Sequence, residues 1–236
     1  MLVLELGRVS YTQAWELQHS LVKARQEGRA DDILVLLEHD PVITLGRSAD
    51  ARHVLASAKA LQRLGIQVQR IERGGDVTYH GPGQLVGYPI LHLASLHLGV
   101  SDYMRALEQV LLETLADLGL PAHRQAGVVG VWVGKAKIAS LGARVERGVT
   151  YHGFALNVNT NLEHFELIVP CGLEGVSVTS MERELGRPVE MPLVRRSVIR
   201  KFGQVFGMRF SATTLGKLNL LQSSSSADGS RGASAR

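Results

Sequence analysis

The sequence predicts a mixed-sheet α/β (α+β) domain whose sheet is flanked by helices. Three observations carry that expectation: short apolar runs near the N-terminus, two long segments with helical spacing, and a β-rich stretch from Gly127 to Asn159. With 236 residues, 45% hydrophobic and 20% charged, the chain can bury one substantial core.

Leu2 to Leu6 and Ile33 to Glu38 read as strands. Between them, Tyr11 to Glu27 places Trp15, Leu17, Leu21 and Val22 on one helical stripe. Leu85 to Leu91 is an apolar strand. Ser101 to Leu118 reads as a helix through Met104, Leu107, Leu111, Leu112, Leu115 and Leu118, stopped by Gly119 and Pro121. Val128 to Val133, Ala136 to Val145 and Val149 to Val158 follow as strands, the last two joined by a Glu146-Arg147-Gly148 turn. Helices return near Ser180 to Leu185 and Leu193 to Phe206.

From Gln222 the chain becomes Ser-, Ala- and Gly-rich, with too little apolar surface to offset the entropy of ordering it. The expected division is therefore a catalytic-sized domain over 1–222 and a disordered tail over 223–236. The first residues interrupt their apolar run with Glu5 and Arg8, and no later run approaches the roughly 18 apolar residues of a membrane span, so neither export nor insertion is expected. One cysteine cannot form an internal disulfide, which fits a reducing compartment; cytoplasm is the expected location. The net charge of +4 is spread along the chain and aromatics are only 5%, so no nucleic-acid stripe is visible and an acidic protein partner fits at least as well. The nine histidines do not cluster at metal-ligand spacing, and no metal is expected.

Four segments carry chemistry. Arg73 to Gln84 packs glycines and a proline around polar side chains just before an apolar strand; it is either a tight hairpin or a loop whose backbone approaches a ligand. Cys171 sits between Pro170 and Gly172, at a turn rather than inside an element. A thiol at its reference pKa of about 8.5 is only a few per cent ionised at pH 7, and half-ionising it takes about 2 kcal/mol of selective stabilisation. One nearby cation can supply that in a partly desolvated cleft. Lys135, Lys137, His80 and His152 are the candidates, and chemistry alone favours a histidine. Strict alternation puts Lys137 and Ser140 on opposite strand faces, against a direct Ser-Lys pair, and puts Lys135 on the same face as Lys137. His152 to Asn157 closes the β-rich region, either as a plain strand or as a wall against substrate.

Taken together, Arg73 to Gln84, Lys135 to Gly142, His152 to Asn157 and Pro170-Cys171-Gly172 resemble the octanoyltransferases of lipoate biosynthesis, over Met1 to about Phe210. The resemblance implies the fold of the biotin and lipoate protein ligase catalytic domain. It implies that octanoyl is taken from acyl carrier protein and placed on a lysine amine of the lipoyl domains of 2-oxoacid dehydrogenases and the glycine cleavage H protein. No nucleic acid or membrane is involved. It makes Cys171 the acyl-thioester nucleophile and Lys137 the residue that lowers its pKa. The implied substrate-binding residues are Arg73, Gly74, Gly75, Asp76, Val77, Thr78, Tyr79 and His80, then Ser140, Leu141 and Gly142, then Gly153, Phe154 and Ala155. No cofactor is implied: the donor carries its own phosphopantetheine, and neither ATP nor metal is required. Two other readings compete, an ATP-dependent lipoate or biotin ligase that leaves Cys171 idle, and a non-catalytic module that only binds carrier protein or lipoyl domains. The resemblance assigns no counterpart to the Ser-rich tail.

Overall fold

Strand β2 (Ile33–His39) shows how the layers form. It is buried along nearly its whole length, with Leu34 and Leu36 facing one side of the sheet and Ile33, Val35 and Leu37 the other. Strands covered on both faces read as continuous apolar runs rather than as alternation, which is why Ile-Leu-Val-Leu-Leu announces itself in the sequence. The computed structural model describes residues 1–170 and 175–218.

β2 lies in an eight-stranded sheet of mixed direction. Around it are β1 (Leu2–Val9), β6 (Gln84–Ile90), β7 (His123–Gln125), β8 (Val128–Val133), β9 (Ala136–Glu146), β10 (Val149–Asn157) and β11 (Ser211–Thr213), in the order β11-β1-β2-β6-β10-β9-β8-β7. β1 runs parallel to β2 and β11, and every other pairing is antiparallel. A small second sheet holds β3 (Val42–Leu45) between β4 (Gln67–Arg70) and β5 (Val77–His80).

Helix α1 (Tyr11–Gln26) covers one face of the large sheet with Ala14, Leu21 and Val22. It begins where expected because Ser10 and Gln13 form a reciprocal capping box. Its buried stripe differs from the expected one. Trp15 and Leu17 are only half-buried, whereas the polar Gln18 is buried and accepts from His152 N of β10. The short α2 (Ala58–Arg63) packs Leu61 against the small sheet. On the other face of the large sheet, α3 (Val100–Asp117) and α5 (Met191–Phe206) bury Leu107, Leu111, Val194, Val198 and Phe202, and α4 (Met181–Leu185) adds Met181. α5 starts two residues before Leu193 because Pro192 is favourable in a first turn, where its missing N–H costs nothing. Arg147 and Gly148 both have positive φ, the backbone of a two-residue hairpin turn between β9 and β10. No helix among the described residues is long and apolar enough to cross a membrane. The expected tail, Ser223 to Arg236, lies outside the described residues.

Candidate active site

The glycine-dense run is not a hairpin. β5 and β6 belong to different sheets, so the Gly81-Pro82-Gly83 connection carries the chain from one sheet to the other. The segment before β5 folds back onto β9. Gly74 N donates to Ala143 O at 3.1 Å, and a Cβ on Gly142 would stand 2.8 Å from Gly74 O, so glycine is required there for the two backbones to meet.

A cavity of about 250 Å³ opens along this seam. Its walls bring together Arg73, Gly74, Gly75, Asp76, Thr78, His80, Lys137, Ser140, Leu141, Gly142, His152, Gly153, Phe154 and Ala155, residues drawn from three of the sequence segments singled out above. Val77 and Tyr79 are the exceptions. β5 alternates, so these two side chains point the other way, into the cluster with Ile43, Leu45 and Phe165, and the Tyr79 hydroxyl meets His164 Nδ1 at 2.8 Å. Tyr11, Tyr88, Gly127, Val128 and Val129 complete the lining. No sequence signal marked them, since each reaches the cavity only through the packing of α1, β6, the β7–β8 turn and the start of β8.

Lys137 is 4% exposed and lines the cavity, whereas Lys135 is exposed in the β8–β9 turn and not on the strand at all. Lys137 and Ser140 both face the cavity, contrary to strict alternation. The register changes from Val131↔Ala139 to Trp132↔Lys137, so β9 holds one extra residue, and a bulge of this kind re-aims the side chains beyond it. The Lys137 ammonium stands 5.7 Å from the centre of the Trp132 ring. Its backbone is clamped by the chain after the cysteine segment: Lys137 N donates to Ser177 O at 2.9 Å and Thr179 N to Lys137 O at 3.0 Å. Cys171 and Gly172 lie outside the described residues, between Pro170 and Gly175.

The other wall is held by buried polar contacts. Arg73 Nη2 donates to the carbonyl and hydroxyl of Thr44 at 2.8 and 2.9 Å. Gln84 Nε2 donates to Tyr79 O and Asn157 Oδ1 at 3.1 and 2.9 Å, while Asn157 Nδ2 donates to Thr179 O at 3.0 Å. Gln84 Oε1 is thus left as an acceptor, and His80 Nδ1–H donates to it at 2.8 Å. That arrangement fixes the His80 tautomer with Nε2 as acceptor, facing Thr44 Oγ1 at 3.4 Å.

Burial pushes the His80 imidazole well below its ordinary value, with the positive charge of Arg73 and neighbouring imidazoles adding to it. His152 is lowered to about 3, first by burial and then by Arg73, and His39, bonded to the Tyr88 hydroxyl at 2.7 Å, is lowered to about 4 by burial. These imidazoles are neutral at pH 7, so neither His80 nor His152 can supply the cation a thiolate needs. His152 also has φ +54, and its amide donates to Gln18 Oε1 at 2.7 Å.

The chain that builds this mixed sheet, its two helical layers and the glycine-walled cavity matches the lipoyl protein ligase A/B catalytic domain family over residues 10–203. The fold also superposes on a lipoate-protein ligase A bound with ATP, at TM-score 0.78 and 19% identity over 92% of this chain and 89% of that one. A biotin protein ligase from Aquifex aeolicus in complex with biotin and ATP follows at TM-score 0.52 and 11% identity, over 87% and 70%. Within that class, an octanoyltransferase of Koribacter versatilis is 49% identical over 86% of this chain and 83% of its own length. The chain belongs to the octanoyltransferase family.

Proposed function

We propose that the chain takes an octanoyl group from the thioester of acyl carrier protein onto Cys171 and passes it to a lysine amine of lipoyl domains, those of 2-oxoacid dehydrogenases and the glycine cleavage H protein. The observation that carries the reading is the position of Lys137: buried on the cavity wall, with its backbone bonded to Ser177 and Thr179, the far end of the segment that bears Cys171. A lysine ammonium there stabilises a thiolate, and His80 and His152, being neutral, do not compete for that role.

Thiolate attack on a thioester exchanges one C–S bond for another and needs no ATP. Arg73 to Asp76, Thr78 and His80, with Ser140 to Gly142 and Gly153 to Ala155, form the walls against which the acyl chain and the donor arm lie. Val77 and Tyr79 support that wall from behind. The likeness to the two ligases solved with ATP bound is 19% and 11% identical and concerns the fold. The catalytic unit is 1–222, with 223–236 as a tail outside it, and a lone cysteine suits the cytoplasm.

Mixing the enzyme with octanoyl carrier protein and no ATP tests this directly. Intact-mass spectrometry should show one added octanoyl group, mapped to Cys171 and discharged by a lipoyl domain. An active Cys171→Ser variant, or turnover that demands ATP, would refute it.

A further inference from the structure

The cavity has an open side and a closed end. Val129, 48% exposed, lines it beside the β7–β8 turn, whereas the lining side chains Tyr11, His80, Tyr88 and His152 are all buried. Register gives the order between Lys137 and that closed end. After Lys137, β9 presents Ser140, Leu141 and Gly142 opposite Ala155, Phe154 and Gly153 of β10, and the next pair is Ala143 with His152. Past Ser140, the lining from these two strands is therefore apolar or glycine until His152. An acyl chain tethered to a carrier protein keeps its thioester at the open side, so its free methyl end advances toward His152.

That end is polar, and its hydrogen bonding is incomplete. His152 is 2% exposed, and among the described residues its Nε2 has no hydrogen-bond partner. Of the buried polar side-chain atoms in that condition, it is the one that belongs to the cavity lining. The ring is held in place: its backbone amide is bonded to Gln18, and the rings of Tyr151 and Tyr88 flank it with centroids 4.9 and 6.2 Å away. Tyr88 adds an acceptor. His39 Nδ1–H donates to Val9 O at 3.2 Å, which leaves His39 Nε2 to accept the Tyr88 O–H at 2.7 Å. The Tyr88 oxygen then has only lone pairs left to offer, and Tyr11, whose hydroxyl interacts with it, completes the end.

We propose that His152 and Tyr88 form the stop that sets acyl length: an apolar chain is accepted until its methyl end reaches them, and a longer chain binds well only if it ends in a hydroxyl. The proposal rests on the acyl-binding reading above. A methyl group pressed against His152 Nε2 strips water from it and returns no bond, so the desolvation goes uncompensated. A hydroxyl both donates and accepts, matching a neutral imidazole and a phenol oxygen. An octanoyl chain stops short of the pair.

The test is calorimetric binding of fatty acids from hexanoate to dodecanoate to the full chain, each compared with its ω-hydroxy derivative. Affinity of the methyl-ended acids should rise to octanoate and then fall, while the ω-hydroxy derivative of decanoate should bind about tenfold tighter than decanoate. His152→Leu should reverse that order and let decanoyl carrier protein acylate the enzyme as fast as octanoyl carrier protein. His152→Asn, which tolerates a left-handed backbone and keeps a hydrogen-bonding side chain, should retain the hydroxyl preference. Decanoate binding as tightly as its ω-hydroxy derivative in the parent, a result that needs no variant, overturns the proposal. So does a folded His152→Leu that keeps the parent order. Absence of acyl-enzyme from octanoyl carrier protein, with the hydroxyl preference intact, removes the two-step transfer instead and supports the stop.

Discussion

The side chain of Lys137 lies across Gly130: a Cβ on that glycine would come within 2.5 Å of Lys137 Cε and 3.1 Å of Nζ. Gly130 also has φ +148, a conformation side chains rarely adopt, and its amide is held by the buried Glu108 carboxylate at 3.0 Å. The course of the lysine toward the cavity is therefore set by the absence of a methyl group on the neighbouring strand. Gly130→Ala should displace Lys137 and lower the Cys171 alkylation rate at pH 7 about tenfold, the effect of a one-unit rise in thiol pKa. Lys137→Ala should do the same and Lys135→Ala nothing. Iodoacetamide rates across pH decide it, and an unchanged profile in Lys137→Ala would show that the pairing is wrong.

Gln84 and Asn157 are 1% and 4% exposed and carry the hydrogen bonds that orient His80 through its Nδ1. Asn157→Ala leaves a Gln84 donor and the Thr179 carbonyl buried without a partner, which costs about 1–3 kcal/mol for each group. Urea unfolding should register that loss. The double variant with Gln84→Leu should be destabilised by less than the sum of the two, because the second change removes groups the first has already orphaned.

His39 and His152 are held neutral in the fold, at about 4 and about 3, against an ordinary value of 6.5. Between those values the unfolded chain binds the extra proton. Stability is then full above pH 6.5 and falls as pH drops, by roughly 2 kcal/mol for each such imidazole at pH 5. Denaturation at pH 7 and 5 measures the slope, and His39→Gln should make it shallower by about one proton. An identical slope in that variant would contradict the assignment.

Gly142→Ala places a methyl group 2.8 Å from Gly74 O, a backbone atom that can yield only by moving the glycine loop off β9. The cavity wall should shift while the sheet remains folded. We expect acylation by octanoyl carrier protein to drop at least tenfold, about 1.4 kcal/mol, with little change in Tm. Normal acylation would place the acyl chain elsewhere.

The long elements were legible because their signals are local. β2 is a continuous apolar run, and α1 and α3 repeat apolar residues at helical spacing. The small sheet was not, since β3, β4 and β5 are four residues each, too short for periodicity to speak. Strict alternation misled at β9, where one bulge moves Lys137 and Ser140 to the same cavity; at β5 alternation held, and it was the contiguous motif that took in Val77 and Tyr79, whose side chains face away.

Residue chemistry and short-range pattern alone settled that this chain has one thiol, a glycine-dense segment and strands buried on both faces. Which charged groups meet that segment was decided only in three dimensions. Lys135 and Lys137 differ by two positions, yet one is in a solvent-exposed turn and the other is 4% exposed. His152 donates its amide to Gln18, 134 residues away, and takes its neutrality from burial. Desolvation depends on everything packed around a group, and most of those neighbours are distant in the chain.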